Sequence, residues 1–377
     1  MKIGIVCYPT FGGSGVVATE LGMALAERGH QVHFITYKQP VRLDLIENEI
    51  HFHEVFVEEY PLFHFQPYEL ALSSKMVEVV ELYGLEILHV HYAIPHAYAA
   101  YMAKQMLKEK GIDIKVVTTL HGTDITLVGS HPNYKTAVEF SINNSDVVTT
   151  VSESLKKDTL RLFKIRKDIK VIHNFIDFEQ YPEIGSEDCK RHTIANENER
   201  IITHISNLRP VKRAADVIAI FYKIQKEIPS KLLLVGEGPE REQIECQVKD
   251  LGILDKVLFM GNSNEVNKLL CYSDLFLLPS ETESFGLAAL EAMAARTPVI
   301  STNSGGLPEV NINGVTGFLS NVGDTDDMAK NGIYILKDLE RLQQFKQNAL
   351  SQAKKFSLEN VLPAYKEVYR EVIKNCC

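Results

Sequence analysis

Along the chain, short runs of β-branched and aliphatic residues alternate with longer stretches in which apolar positions recur every three or four residues. Lys2–Cys7, Gln31–Thr36, Glu86–His89, Lys115–Thr119 and Val147–Val151 read as strands, and the segments between them read as amphipathic helices. After a polar stretch from Glu183 to Arg200 the alternation restarts, with strands at Ile201–Ser206, Lys231–Val235, Lys256–Met260, Leu275–Leu278 and Val299–Ser301. The pattern is that of parallel α/β units, and its restart predicts two similar lobes. Gly185, Ser186, Asn196 and Asn198, with few large apolar neighbours, mark the polar stretch as a linker or loose surface segment. The tail from Thr325 to Lys374 is helical in pattern and breaks near Phe356-Ser357. Ser357 is placed to cap a last helix whose Leu362, Tyr365, Val368, Tyr369 and Val372 need a surface to cover.

Composition narrows the class. At 377 residues the chain exceeds one ordinary core and suits two domains. Apolar residues at 45% and charged residues at 24% are the balance of a globular enzyme. A net charge of −9 gives no general attraction to nucleic acid or an anionic membrane, so an anionic ligand must be met by local cations and backbone amides. The six cysteines are scattered without a Cys-x-x-Cys pair, which suits reduced thiols in a cytoplasmic protein. No signal peptide is expected at the start, and no apolar run approaches the roughly 20 residues of a membrane span.

The first glycine-rich turn is Tyr8-Pro-Thr-Phe-Gly12-Gly13-Ser14-Gly15, between the first strand and a helix expected over Val16–Arg28. Amides at a helix start bind anions, glycines admit a ligand close to the backbone, and the Ser14 hydroxyl adds a bond. A plain tight βα turn fits the same residues. The run lacks the full dinucleotide fingerprint, and residues 32–38 offer no acidic ribose contact, which counts against a nicotinamide dehydrogenase.

The later half carries more. Ser206-Asn207-Leu-Arg209-Pro-Val-Lys212-Arg213 follows a strand and puts three cations within five residues. Arg forks onto two phosphate oxygens and Lys adds a compact charge, so the turn suits a diphosphate, although a solvated basic turn would look the same. Leu234-Val-Gly236-Glu-Gly-Pro239 and Glu281-Thr-Glu283-Ser284-Phe285-Gly286-Leu287 are further strand-end turns. In open parallel sheets such ends line one crevice, so these turns are expected to converge. Glu283 and Glu291, eight positions apart, would be about 12 Å apart along a helix at roughly 1.5 Å per residue. That spacing suits two parts of an extended ligand better than an acid/base pair across one bond.

These residues resemble the retaining glycosyltransferases of family four: the pair Glu283/Glu291, the Ser284-Phe-Gly286 turn, Val235-Gly-Glu-Gly-Pro239 and Gly305-Gly-Leu-Pro-Glu309. Within that family the amino half is most similar to the members of bacillithiol biosynthesis that act on L-malate. It shares Cys7-Tyr-Pro, Gly12-Gly-Ser-Gly-Val-Val-Ala-Thr-Glu-Leu-Gly22, His89-Val-His-Tyr-Ala-Ile-Pro-His96, Thr118-Thr-Leu-His-Gly-Thr-Asp124 and Asn174-Phe-Ile-Asp177. The resemblance implies the GT-B architecture, two Rossmann-like domains facing across a cleft, with the C-terminal helix crossing back to the first. Residues 1–177 with 358–377 would form the acceptor domain and residues 178–357 the nucleotide-sugar domain. It implies UDP-N-acetylglucosamine as donor, L-malate as acceptor and no metal. Arg209, Lys212, Glu283 and His121 would carry the transfer. Gly13, Ser14, Gly15, Asn207, Gly236, Gly261, Ser284, Phe285, Gly286, Leu287 and Glu291 would hold the donor, with uracil near Phe259–Asn262. Ser14, Tyr92, Thr119, Asn174 and Arg42 would hold the acceptor.

Asn207 stands where many relatives have Arg, so the cation pair moves to Arg209 and Lys212. His89, His91, His96 and His121 sit on separate strand ends without a compact metal-ligand spacing. Relatives often pair, so a homodimer or higher homo-oligomer belongs to the expectation. A UDP-N-acetylglucosamine epimerase of the same fold, a UDP-sugar transferase with another small acceptor and a non-catalytic nucleotide sensor are the rivals.

Overall fold

The computed structural model describes residues 1–10, 12–43, 49–58, 66–181, 191–263 and 265–374. The chain divides into two compact units, Met1–Asn174 with Val361–Cys377, and Phe175–Asn360. The first holds strands β1 (Lys2–Val6), β2 (Gln31–Thr36), β3 (Ile50–Glu54), β4 (Ile87–His91), β5 (Lys115–Leu120), β6 (Val147–Thr150) and β7 (Ile169–Val171). The second holds β8 (Arg200–Ile205), β9 (Ser230–Val235), β10 (Val257–Gly261), β11 (Leu275–Leu278), β12 (Val299–Thr302) and β13 (Gly317–Ser320). The helices of the first unit are α1 (Gly13–Glu27), α2 (Tyr68–Tyr83), α3 (Tyr98–Glu109), α4 (Pro132–Asn144) and α5 (Glu153–Leu162). Those of the second are α6 (Ala214–Glu227), α7 (Arg241–Asp250), α8 (Val266–Cys271), α9 (Leu287–Ala294), α10 (Leu307–Val310), α11 (Thr325–Leu336) and α12 (Leu339–Ala353). The last helix, α13 (Leu358–Lys374), begins just after Ser357.

Both sheets are wholly parallel and doubly wound. The first runs β3-β2-β1-β4-β5-β6-β7 and the second β10-β9-β8-β11-β12-β13. In each, the chain builds outward on one side of its first strand and then crosses to the other side. The order therefore reverses between β1 and β4, and again between β8 and β11, and those reversals are where such sheets open a crevice at their strand ends. The central strands are buried on both faces, which is why they read as apolar runs. Strands β3, β7 and β13 are short, partly exposed edge strands and are additions to the sequence reading.

Helix α13 lays Leu362, Tyr365, Val368, Tyr369 and Val372, all buried, against the first unit, where the Tyr369 hydroxyl bonds His89 Nδ1 at 2.7 Å. Part of the expected linker, residues 182–190, lies outside the described residues. Among the described cysteines, Cys7 and Cys246 are free and Cys271 is disulfide-bonded, a departure from the reduced thiols expected. No helix among the described residues is long and apolar enough to cross a membrane.

Helix α1 sits hard against its sheet because Gly22 lets it. A Cβ built there would lie 2.4 Å from Phe34 Cζ and 2.9 Å from Ile5 Cδ1. Gly22→Ala adds about 1 kcal/mol of helix propensity, whereas overpacking a filled core costs about 1–3 kcal/mol. A net loss is expected, read as a thermal midpoint lower by a few degrees. A midpoint equal to or above the parent's would show that the helix slides aside at no cost.

Candidate functional site

In the second unit the turns that follow β8, β9, β11 and β12 are tied together by backbone contacts that only glycine permits. Gly236 has φ +117°, and a Cβ there would meet the Ser206 carbonyl oxygen at 1.8 Å. A Cβ at Gly238 would meet that of Asn207 at 1.9 Å. Gly305, at φ +60°, stands in the same relation to the Glu283 carbonyl, 1.9 Å from a built Cβ, and the Gly306 amide donates to that oxygen at 2.8 Å. The Gly236 amide donates to the Gly261 carbonyl at 2.7 Å, so the end of β10 joins the group. The expected convergence is thus present within this unit, at the reversal between β8 and β11.

The basic turn lies on this frame. Leu208 and Arg213 take left-handed φ of 39° and 51°, conformations that non-glycine residues hold only where their surroundings enforce them. Between them Arg209 is exposed and, among the described residues, its guanidinium has no hydrogen bond or ion pair in the structure. Lys212 is half-buried, and its Nζ lies 2.5 Å from Glu283 Oε1, which also accepts from the Ser280 hydroxyl at 3.0 Å. The turn is seated further by the Glu281 amide, which donates to the Val211 carbonyl. Asn207 is exposed.

Helix α9 starts at Leu287 with Gly286, φ +98°, as its cap and no side-chain capping bond. The cap residue, a glycine, brings no side chain of its own onto the first amides, an arrangement that suits an anion. Phe285 is buried edge-on to Phe356. Glu291 is on α9, but Glu283 lies in the turn before it. The two therefore do not share the helix on which the expected spacing was counted, because Gly286 in the left-handed region stands before its start. Near β10 the Arg241 guanidinium lies 4.2 Å from the Phe259 ring centroid.

The first unit builds its own strand-end cluster at the reversal between β1 and β4. Gly13, Ser14 and Gly15 are the first turn of α1 and not a loop before it. A Cβ at Gly15 would come within 2.5 Å of the carbonyls of Tyr8 and Thr10, so the turn closes only with glycine there. The Ser14 hydroxyl meets the Tyr92 hydroxyl at 2.5 Å. Tyr92, non-glycine at φ +89°, is held by its amide bond to the Thr119 carbonyl. The Thr119 side chain is buried and bonded to His89 Nε2 and the Thr149 hydroxyl, both at 2.7 Å. Asn174 is buried, and its Oδ1 has no partner among the described residues. Arg42 pairs with the buried Glu20 at 2.8 Å.

Four buried imidazoles lie behind these groups. His91 Nδ1 is 2.8 Å from His121 Nε2, and the His89, His91 and His121 rings stack in sequence at 4.5 and 5.1 Å. The His96 Nδ1 proton goes to the His91 carbonyl at 2.5 Å, which fixes that tautomer. Burial holds His89 and His121 at about 3 and His96 at about 4, neighbouring imidazoles adding to the effect at His89 and His121, and it holds His91 well below the ordinary value too. The cluster is uncharged at neutral pH.

One residue went unmarked in the sequence reading. Asp124, buried, accepts from the Ala93 amide on Oδ2 at 2.8 Å and from the Gly122 and His121 amides on Oδ1 at 3.0 and 3.3 Å. An Asp two positions after a strand-end glycine was the available signal.

With this geometry in place, two family models match. Residues 11–180 match "Glycosyltransferase Family 4" and residues 186–352 match "Glycosyl transferases group 1". The chain is 50% identical over its full length to the N-acetyl-alpha-D-glucosaminyl L-malate synthase of Bacillus anthracis, of which it covers 98%. It is 28% identical to an uncharacterized glycosyltransferase of Methanocaldococcus jannaschii, over 98% of each chain. Similar folds are found in Anabaena HepE in complex with UDP-glucose (TM-score 0.84, 20% identity, 98% of this chain and 100% of that one) and in the sucrose-phosphate synthase of Thermosynechococcus elongatus (TM-score 0.81, 22% identity, 99% of each).

The buried histidines set an acid limit on stability. His89, His96, His121 and His204 sit at about 3 to 4 in the fold against 6.5 ordinarily. Below 6.5 the unfolded chain takes up protons that the fold refuses, so stability falls with pH by up to about 1.4 kcal/mol per pH unit per imidazole. Asp124, raised to about 6 by burial, opposes this between its folded and ordinary values, but it is one group against four. Urea midpoints should therefore drop steadily from pH 7 to pH 5, and a flat profile would mean that these rings are protonated inside the fold.

Proposed function

The chain belongs to the family 4 glycosyltransferases, and from that premise we propose that it transfers N-acetylglucosamine from UDP-N-acetylglucosamine to the hydroxyl of L-malate with retention at the anomeric carbon, the first step of bacillithiol biosynthesis. The observation that carries the reading is the frame of glycine contacts that gathers Arg209, Lys212, Glu283 and the uncapped start of α9 around one place in the second unit. Cations and amides so placed suit a diphosphate, whose negative charge grows as it leaves. The full-length likeness to the Bacillus anthracis enzyme supports N-acetylglucosamine and malate as the groups joined.

In this reading residues 178–357 take the nucleotide sugar. Arg209 and Lys212 meet the diphosphate together with amides of Ser284, Phe285, Gly286 and Leu287. Glu291 binds the ribose hydroxyls, Glu283 the sugar, and Gly236, Asn207 and Gly261 border the nucleotide. Residues 1–177 with 358–377 take malate through Ser14, Tyr92, Thr119, Asn174 and Arg42, with Gly13, Ser14 and Gly15 also meeting the donor and His121 lining the sugar as a neutral hydrogen-bonding group. The malate oxygen attacks C1 on the face the phosphate leaves, the C1–O bond to the diphosphate breaks, and the hydroxyl proton passes to the departing phosphate oxygen. Side-chain cations do the work of a metal, and the enzyme acts in the cytoplasm.

Incubation with UDP-N-acetylglucosamine and a panel of hydroxy acids and inositol phosphate, followed by mass spectrometry, should give the malate conjugate, with UDP release strictly dependent on malate. Release or isomerisation without an acceptor would instead favour the epimerase. Arg209→Ala and Lys212→Ala should each lower kcat tenfold or more, since one such contact to transition-state charge is worth about 3 kcal/mol. Unchanged turnover in both would remove the diphosphate assignment.

A further inference from the structure

The polar groups of the first unit's strand-end cluster reach that place from three separate turns. Ser14 comes from the first turn of α1, Tyr92 from the turn after β4 and His121 from the turn after β5. The last ladder bond between the β4 and β5 turns runs from the Tyr92 amide to the Thr119 carbonyl, and past it β4 has ended at His91 and β5 at Leu120. Asp124 bridges two of them. Its Oδ2 accepts from the amide of Ala93, the residue after Tyr92, and its Oδ1 accepts from the amides of His121 and Gly122. The third turn is joined through the Ser14–Tyr92 hydroxyl contact.

From this we infer that Asp124 is a positioning residue for acceptor transfer, its two carboxylate oxygens holding the turn of Tyr92 against that of His121 in the one arrangement that presents Tyr92 to the acceptor. The inference rests on the reading that Tyr92 belongs to the acceptor site. Three features favour it over a purely structural role. Tyr92 has a left-handed backbone at φ +89°, a conformation that needs an external restraint, and the neighbouring Ala93 amide is where Asp124 supplies one. Asp124 has no cation among the partners found for it, so its two oxygens are satisfied by main-chain amides alone. Gly122, φ +115°, brings the β5 turn round so that its amide and that of His121 face the same oxygen. Amides that would otherwise be left facing one another are thereby converted into a two-sided clamp. A carboxylate is needed for this, since an amide of the same size must turn an NH2 towards one of the two sets of N–H donors.

Asp124→Asn is therefore the test, in the full-length enzyme, with steady-state kinetics for malate and calorimetric binding of UDP as separate readouts. The expected result is a loss of at least tenfold in kcat/KM for malate while the Kd for UDP stays within twofold, because Asp124 bonds none of the groups assigned to UDP. The effect should also pass through Tyr92: in a Tyr92→Phe background, Asp124→Asn should cost less than threefold. Equal fold-losses in both backgrounds, or an Asp124→Asn enzyme within twofold of the parent, would overturn the positioning role. If Tyr92→Phe leaves malate kinetics untouched, the acceptor-site reading fails instead, and the two failures are distinct. Should Asp124→Asn not melt cooperatively, Asp124→Ser, which keeps one oxygen and admits a water, serves the same cycle with the same expected and overturning results.

Discussion

The second unit depends on backbone lying directly on backbone at the ends of its strands. Gly236 and Gly238 bring the turn after β9 against the carbonyls of Ser206 and Asn207, and Gly305 and Gly306 bring the turn after β12 against Glu283 and Ser284. At these separations a single methyl group would force the turns apart. The basic turn, the Ser280–Glu283 segment and the start of α9 owe their proximity to that contact, and the left-handed Leu208 and Arg213 are held within it. Gly15 serves the first unit in the same way, closing α1 onto the carbonyls that end β1.

The two units then present different chemistry from the same topology. In the second, the strand-end cluster is charged: Lys212 is tethered to Glu283, and Arg209 stands exposed beside it. In the first, the corresponding place is lined by hydroxyls and stacked imidazoles that burial keeps neutral. A diphosphate that gains charge as it departs needs the first kind of surroundings, and a small hydroxy acid whose oxygen must be aimed needs the second. That division is a property of which residues the strand ends and strand-end turns of each sheet carry, since the sheets themselves are wound alike.

Much of this was legible in the sequence, for identifiable reasons. Central parallel strands are buried on both sides and announce themselves as apolar runs, so two lobes could be read from the alternation alone. The edge strands could not: Ile50-His-Phe-His-Glu54 is half polar, Ile169–Val171 has three residues, and Gly317–Ser320 opens on glycine. Glycine turns and clustered cations were visible because their residue types are distinctive. Pairings between distant side chains leave no such mark, so the Lys212–Glu283 contact, the His91–His121 contact and the Asp124 bridge emerged only from the fold. The assumed helix across Glu283 and Glu291 failed at Gly286, whose left-handed φ no count of apolar spacing reveals.

The neutral imidazoles would also set the solution conditions under which the first unit could hold an anion. Arg42 is already matched by Glu20, and the four rings carry no charge at neutral pH. Apart from the Asp124 carboxylate, which main-chain amides satisfy, what the described residues bonded around Ser14 and Tyr92 offer an anion is oriented dipoles at contact distance. Mobile ions weaken the long reach of unpaired charges across a screening length of about 10 Å at 0.1 M, but they cannot enter between a donor and an acceptor already touching. Recognition there would accordingly be a matter of shape and direction, little moved by ionic strength, while any hold of Arg209 and its neighbours on an anion would slacken as salt is added.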